Sequence, residues 1–253
     1  MDRVRHESGT AVDTRTPRPV AAVTGALFGA LSRVRGARIF HPVGVSYSAT
    51  LRVGTALPQY HGVPLLERPG EHRAVVRFSR AVGLPEPLPD ALGIAVRLPD
   101  LHGPGRHQDF LLVTSADGPL LHHLLLPGLR GFFEQSFSSL LFYRMGGRLR
   151  LVGARAASRP DATAGGALAE LVAAAEAGAA CFELALASPA GRWRRVGDLT
   201  VDERLPDVDS ERLAFTPWHT GGGIRPVGPF MGLRRAAYAA SQRQRGLAPA
   251  EIP

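Results

Sequence analysis

ARIFHPVGVSYSATLRV, residues 37–53, is the stretch whose pattern decides the fold. Ile39, His41, Val43, Val45 and Tyr47 share one parity, the period-two alternation of a strand with one face on an apolar core. A lone histidine on such a face is ordinarily a packed core residue. Arg38 stands on the other parity, so it serves the same ligand as His41 only if the strand begins or bends there.

Further strands follow at short intervals. HRAVVRFS (72–79) is β-rich and sets Arg77 and Ser79 on one face, residues 93–98 of PDALGIAVRLPD form the next run, and QDFLLVT (108–114) another. Four such runs separated by Gly- and Pro-containing turns predict an antiparallel barrel or sandwich. The apolar, aromatic segment 120–151, with Phe132, Phe133, Phe137, Phe142 and Tyr143, reads as helical pieces. Residues 159–166 read as a turn-rich linker, 167–179 as an alanine-rich helix, and CFELALA and 193–201 as two more strands. An acidic loop, 202–209, leads to LAFTPWHTGGGIRP and the C-terminus. Ahead of the first strand lie a polar arm (1–17) and a segment with helical spacing, Val20, Val23, Leu27 and Leu31, ended by Gly36. The division is therefore 1–36, arm and helix, and 37–253, one domain, in an α+β fold.

Composition removes several function classes. The chain of 253 residues contains neither lysine nor asparagine, so all 30 of its permanent cations are arginines. Nucleotide binding through a P-loop lysine and Schiff-base catalysis are excluded. The net charge of +8 suits nucleic acid, a membrane surface or an anionic small ligand, but the arginines are dispersed among acids, unlike a nucleic-acid stripe. Cys181 is the only cysteine, which rules out an intrachain disulfide or thiolate cluster and suggests a free core thiol. The apolar stretch 20–31 is too short for a membrane span and lacks a signal-peptide cleavage pattern, so a cytoplasmic location is expected. GxSxG, HExxH and GxGxxG are all absent; His102, His107, His122 and His123 read as loop or helix-end residues.

MGLRRAAYAASQRQRG, residues 231–246, has the other informative spacing. As a helix it sets Arg234, Tyr238, Ser241 and Arg245 on one face at steps of four, three and four. A basic helix with one tyrosine is commonly a solvated surface. Yet a permanent cation one turn from a phenol favours the phenolate, the form that ligates Fe(III), and tyrosine-ligated haem is a catalase arrangement.

These pieces in order, Arg-x-x-His, Arg-x-Ser, Asp-x-x-Gly-x-Ala and Arg-x-x-x-Tyr, resemble the haem-binding core of the monofunctional haem catalases and the smaller catalase-related peroxidases, from about Arg38 to Arg245. ARIFHPVG is similar to the distal-histidine strand, VVRFS to the segment that binds a propionate and orients that histidine, and PDALGIAVRL to the strand that follows. The resemblance implies a catalase-like antiparallel β-barrel core with flanking helices and a C-terminal haem-ligand helix. It implies haem b (iron) as cofactor, with Tyr238 as iron ligand, Arg234 as its charge partner, and Ser241 near the haem edge. Arg38, Arg77 and Arg245 would hold the propionates, His41 would be the acid-base group, and Ser79 would orient it.

The family's distal site also uses an asparagine, which this chain lacks. The activity implied is therefore a haem peroxidase acting on hydrogen peroxide or organic peroxides with a small organic reductant, and weak or no catalase activity. A smaller oligomer than the catalases form, such as a homodimer, is implied as well. A fatty-acid hydroperoxide isomerase or dehydratase of the same fold, and a non-enzymatic haem-binding protein, stand as alternatives.

Overall fold

The computed structural model describes residues 43–80, 90–122, 124–126, 131–160 and 165–228, within a compact unit bounded by Phe40 and Pro253. Eight strands close a barrel. In the order they pair, these are β1 (Val43–Val53), β2 (Gly70–Arg80), β3 (Leu92–Leu98), β4 (Gln108–Ser115), β5 (Ser136–Ser138), β7 (Arg148–Ala156), β8 (Cys181–Ala187) and β9 (Arg194–Arg204), which returns to β1. Every pairing is antiparallel, and the β7–β8 ladder from Leu151↔Ala187 to Ala156↔Phe182 leaves no open edge in the ring. Two further strands, β6 (Phe142–Met145) and β10 (Ile224–Val227), extend from β7 as a flap.

Alternation builds the core. Tyr47, Leu51 and Val53 of β1, Val76 and Phe78 of β2, Ile94 and Val96 of β3, and Phe110 and Leu112 of β4 are all buried on the inward parity. Phe78 stands at the centre of an aromatic group: its ring centroid lies 5.3 Å from that of Phe132, 5.2 Å from Phe182 and 6.3 Å from Tyr47. A cavity of about 20 Å³ among the described residues is lined by apolar side chains including Leu51, Leu65, Phe110 and Leu184. That is room for about one water with no polar partner to hold it, so the barrel lumen is a packed core.

The helices are short: α1 (Pro64–Glu67), α2 (Gly166–Glu176) and α3 (Asp207–Arg212), with a 3₁₀ turn at Pro58–Tyr60. The alanine-rich helix forms as expected and buries Leu171, Ala174 and Ala175. Among the described residues of 120–151, by contrast, there is no helix. Phe137 and Tyr143 are buried from strands β5 and β6, and Gly146 and Gly147, at φ +52° and +77°, turn β6 back into β7. Two consecutive positive φ values are what a two-residue hairpin requires and what Gly-Gly supplies. The acidic loop is also replaced by structure, since β9 runs to Arg204 and α3 begins at Asp207. Cys181 is half-buried and faces away from the core beside Thr200, and burial raises its thiol pKa. No helix among the described residues is long and apolar enough to cross a membrane.

Candidate functional site

The expected site residues Arg77 and Ser79 lie on the outward face of the same strands, away from the apolar core. Two registered rows cross that face. Gly44, Ser79, Gly93 and Val113 form one row across β1 to β4, and Ser46, Arg77, Ala95 and Leu111 form the next. Paired residues of a sheet share a face, so Arg77 and Ser79 do face the same way, as their spacing predicts. The first row is kept low by glycine. A Cβ on Gly44 would lie 2.6 Å from the Phe78 carbonyl oxygen and 3.2 Å from an Arg77 guanidinium nitrogen.

Arg77 rises from these rows and is held from the side. Its Nη1 donates to Ser210 Oγ at 2.7 Å and to Ser46 Oγ at 3.4 Å, while the two hydroxyls lie 2.7 Å apart. Ser210 is buried on α3, and the chain just ahead of that helix is tied to β1 by the Leu205 N–H donating to the Ser46 carbonyl at 2.8 Å. The two hydroxyls thus hold one end of the guanidinium fork in place. Ser79 is buried, and its hydroxyl makes a long contact of 3.5 Å to the Gly93 carbonyl. Beside it, the Arg80 and Asp90 side chains pair at 3.8 Å, both largely removed from solvent.

Strand β4 carries no outward amide. Thr114 shares the inward parity of Phe110 and Leu112 and donates to the Leu126 carbonyl at 2.7 Å. Val113 and Ser115 take the outward parity, and the buried Ser115 Oγ has no hydrogen-bond partner among the described residues. Inside the barrel the Tyr47 hydroxyl is also buried with no hydrogen-bond partner among the described residues, and desolvation raises its pKa.

A second polar centre lies farther along the same face, and the sequence reading did not find it. Arg97 and Asp109 are registered partners on β3 and β4, joined by two parallel bonds of 2.8 and 2.7 Å, with the Asp109 side chain fully buried. Asp109 Oδ2 also accepts the Thr216 N–H at 2.9 Å and lies 2.9 Å from His219 Nδ1. The two hydrogens of Arg97 Nη2 are taken by Asp109 and the Ala214 carbonyl. His219 Nδ1 also lies 3.0 Å from Arg97 Nη2, so the imidazole sits against both members of the pair. The His107 ring meets His219 edge to face at 5.6 Å, and its Nδ1 accepts the Asp100 N–H at 3.0 Å. Burial, then Arg97 and His219, lower the His107 pKa. The readable signal was the hairpin register: once β3 and β4 pair as Gly93↔Val113, Arg97 must face Asp109.

Of the other expected site residues, Arg38, His41, Arg234, Tyr238, Ser241 and Arg245 lie outside the described residues. The C-terminal helix expected to carry the last four lies there too.

Solved structures share this architecture. The chain aligns over 96% of its length with a fungal catalase at TM-score 0.62 and 13% identity, and with a bacterial catalase at 0.61 and 16%. Catalase A from Saccharomyces cerevisiae aligns over the same share at 0.62 and 12%. The fold is catalase-like. The chain spans 65%, 64% and 67% of those three proteins. No protein-family model and no curated protein matches it.

Proposed function

We propose that this catalase-like protein is a haem-dependent peroxidase that reduces organic peroxides or hydrogen peroxide, with weak or no catalase activity. One observation carries the reading: the catalase-like barrel presents Arg77 and Ser79 side by side, above a glycine-lowered row, on its outward face. The described residues fit a planar group bearing carboxylates. Arg77 supplies a pre-positioned fork, Gly44 keeps the row low, and Ser115 Oγ is a buried hydroxyl without a described partner.

In this reading Arg77 binds one haem propionate, Arg38 and Arg245 bind the carboxylates as well, and Ser241 borders the haem edge. Tyr238 holds the iron, and Arg234 favours its phenolate form. A bound haem would supply the two electrons that cleave the peroxide O–O bond, and the small organic reductant would restore them. His41 takes a proton from one peroxide oxygen and returns it to the departing one, which is general acid-base work, and Ser79 fixes its ring. The absence of any asparagine, with Val113 and Ser115 on the outward face of β4, supports peroxidase over catalase activity.

The test is an absorption spectrum of protein produced with haem supply, followed by peroxide and then an organic reductant. A high-spin ferric spectrum that changes with peroxide and returns with reductant is expected. Protein that neither contains haem nor takes up hemin would overturn the reading. Tyr238→Phe should abolish haem retention or shift its spectrum, and His41→Ala should keep haem but lose roughly two to four orders of magnitude in peroxide rate. Unchanged spectra or rates would remove those residues from the roles given.

A further inference from the structure

The loop that leaves β4 displays leucine to solvent. Leu120, Leu121 and Leu126 are 66%, 45% and 41% exposed, three large apolar side chains within seven residues. Backbone hydrogen bonds tie the described residues of this loop together. Ala116 N–H donates to the Leu124 carbonyl, Leu121 N–H to Gly118, Leu124 N–H to Leu121, and Leu126 N–H to Thr114, all between 2.9 and 3.2 Å. His122 anchors it from beneath: the side chain is fully buried, its Nε2 donates to the Gly191 carbonyl at 2.8 Å, and its ring lies 4.5 Å from that of Trp193. Leu120 itself sits at φ +67°, in the left-handed region that disfavours a leucine. The fold therefore holds a large apolar side chain in water at a backbone cost, which a collapsing loop would have avoided.

Charge stands beside this patch. The Gly191–Trp193 segment that receives His122 carries Arg192, and Arg194 follows it; both are exposed and join no ion pair among the described residues. Other exposed arginines divide, Arg52, Arg155, Arg195 and Arg204 being matched to a carboxylate while Arg73 and Arg144 join no ion pair among the described residues; Arg192 and Arg194 are the unmatched ones that flank the His122 anchor. The acid on the loop, Asp117, accepts its own neighbour's Gly118 N–H at 2.8 Å. The whole chain carries +8.

We propose that this loop is a membrane-docking site for an anionic lipid bilayer. The leucines enter the boundary between headgroups and acyl chains, and Arg192 and Arg194 meet the lipid phosphates. Trp193, half-buried between them, suits the same interfacial depth. Exposed leucine beside unmatched arginine fits this surface, because a bilayer offers apolar depth and anionic headgroups together.

The experiment is co-sedimentation of the full chain with phosphatidylcholine vesicles and with phosphatidylcholine–phosphatidylglycerol vesicles. The chain should partition onto the mixed vesicles, and added salt should weaken binding. Leu120→Ser with Leu121→Ser should lower the partition coefficient by about tenfold per leucine. Arg192→Glu with Arg194→Glu should remove most of the preference for the anionic lipid, about fivefold per arginine. Leu120→Gly separates docking from loop integrity: the turn keeps its positive φ and thermal stability rises, while binding falls as for serine. The proposal is overturned if the chain stays in the supernatant, or if the leucine variants bind as the parent does. It is also overturned if the patch proves to join two copies, seen as self-association that Leu120→Ser abolishes in a chain that ignores vesicles.

Discussion

The two faces of one barrel wall are built on opposite terms. Inward, Tyr47, Phe78, Ile94 and Leu112 are almost wholly buried in an apolar core. Outward, the residues between them are Ser46, Arg77, Ser79, Gly93 and Val113, small groups around a fixed guanidinium. A strand alternates faces at every residue, so a single sequence such as VVRFS writes core and site letter by letter. The inner face sustains the barrel by excluding everything, and the outer face can carry ligand chemistry because side chains there are small enough to leave room.

That contrast can be tested from the inside first. Phe78→Ala removes the ring that meets Tyr47, Phe132 and Phe182, and should cost about 3–5 kcal/mol in denaturant unfolding. A loss near zero would mean the lumen is not the stabilising core. On the outer face, the largest effect belongs to Asp109→Ala, which strands the nearly buried Arg97 and should destabilise by about 3 kcal/mol. Exchanging both partners for apolar residues should recover much of that loss, since the penalty lies in the unpaired charge. Gly44→Ala should cost about 1–3 kcal/mol, because its methyl group meets the Phe78 carbonyl at 2.6 Å. An alanine there that leaves stability untouched would show that the rows have slack.

The smallest effect is one of slope. Burial, Arg97 and His219 lower the His107 pKa, against smaller opposing contributions from Asp100 and Asp109. The unfolded chain therefore takes up this proton first as pH falls. The stability tied to neutral His107 is intact above the ordinary histidine value of ~6.5 and is lost as pH falls through it toward the lower folded value. His107→Gln should flatten that acid limb in chemical denaturation run as a function of pH. An unchanged limb would place the titration elsewhere.

Much of this was legible in the sequence, for reasons that can be stated. Strands β1 to β4, β8 and β9 show parity or β-rich composition, and the common face of Arg77 and Ser79 follows from two-residue spacing alone. The segment 120–151 reads as helical pieces because its aromatics come in clusters, not in alternation, yet its described residues hold strands and turns. The Gly146–Gly147 pair was the better guide there, since a hairpin needs its dihedral freedom. The Arg97–Asp109–His219 centre stayed hidden because its members come from three segments that only register and closure bring together.

Closure has a temporal consequence. Strand β1 finds its second neighbour in β9, and the bond from Thr50 to Asp202 joins residues 152 positions apart. At ordinary rates of synthesis the ribosome needs roughly 10–30 s to deliver that partner. The outer edge of β1 therefore has no native partner until β9 has been made, and closing the barrel is a long-range step that slows folding relative to a fold of local contacts.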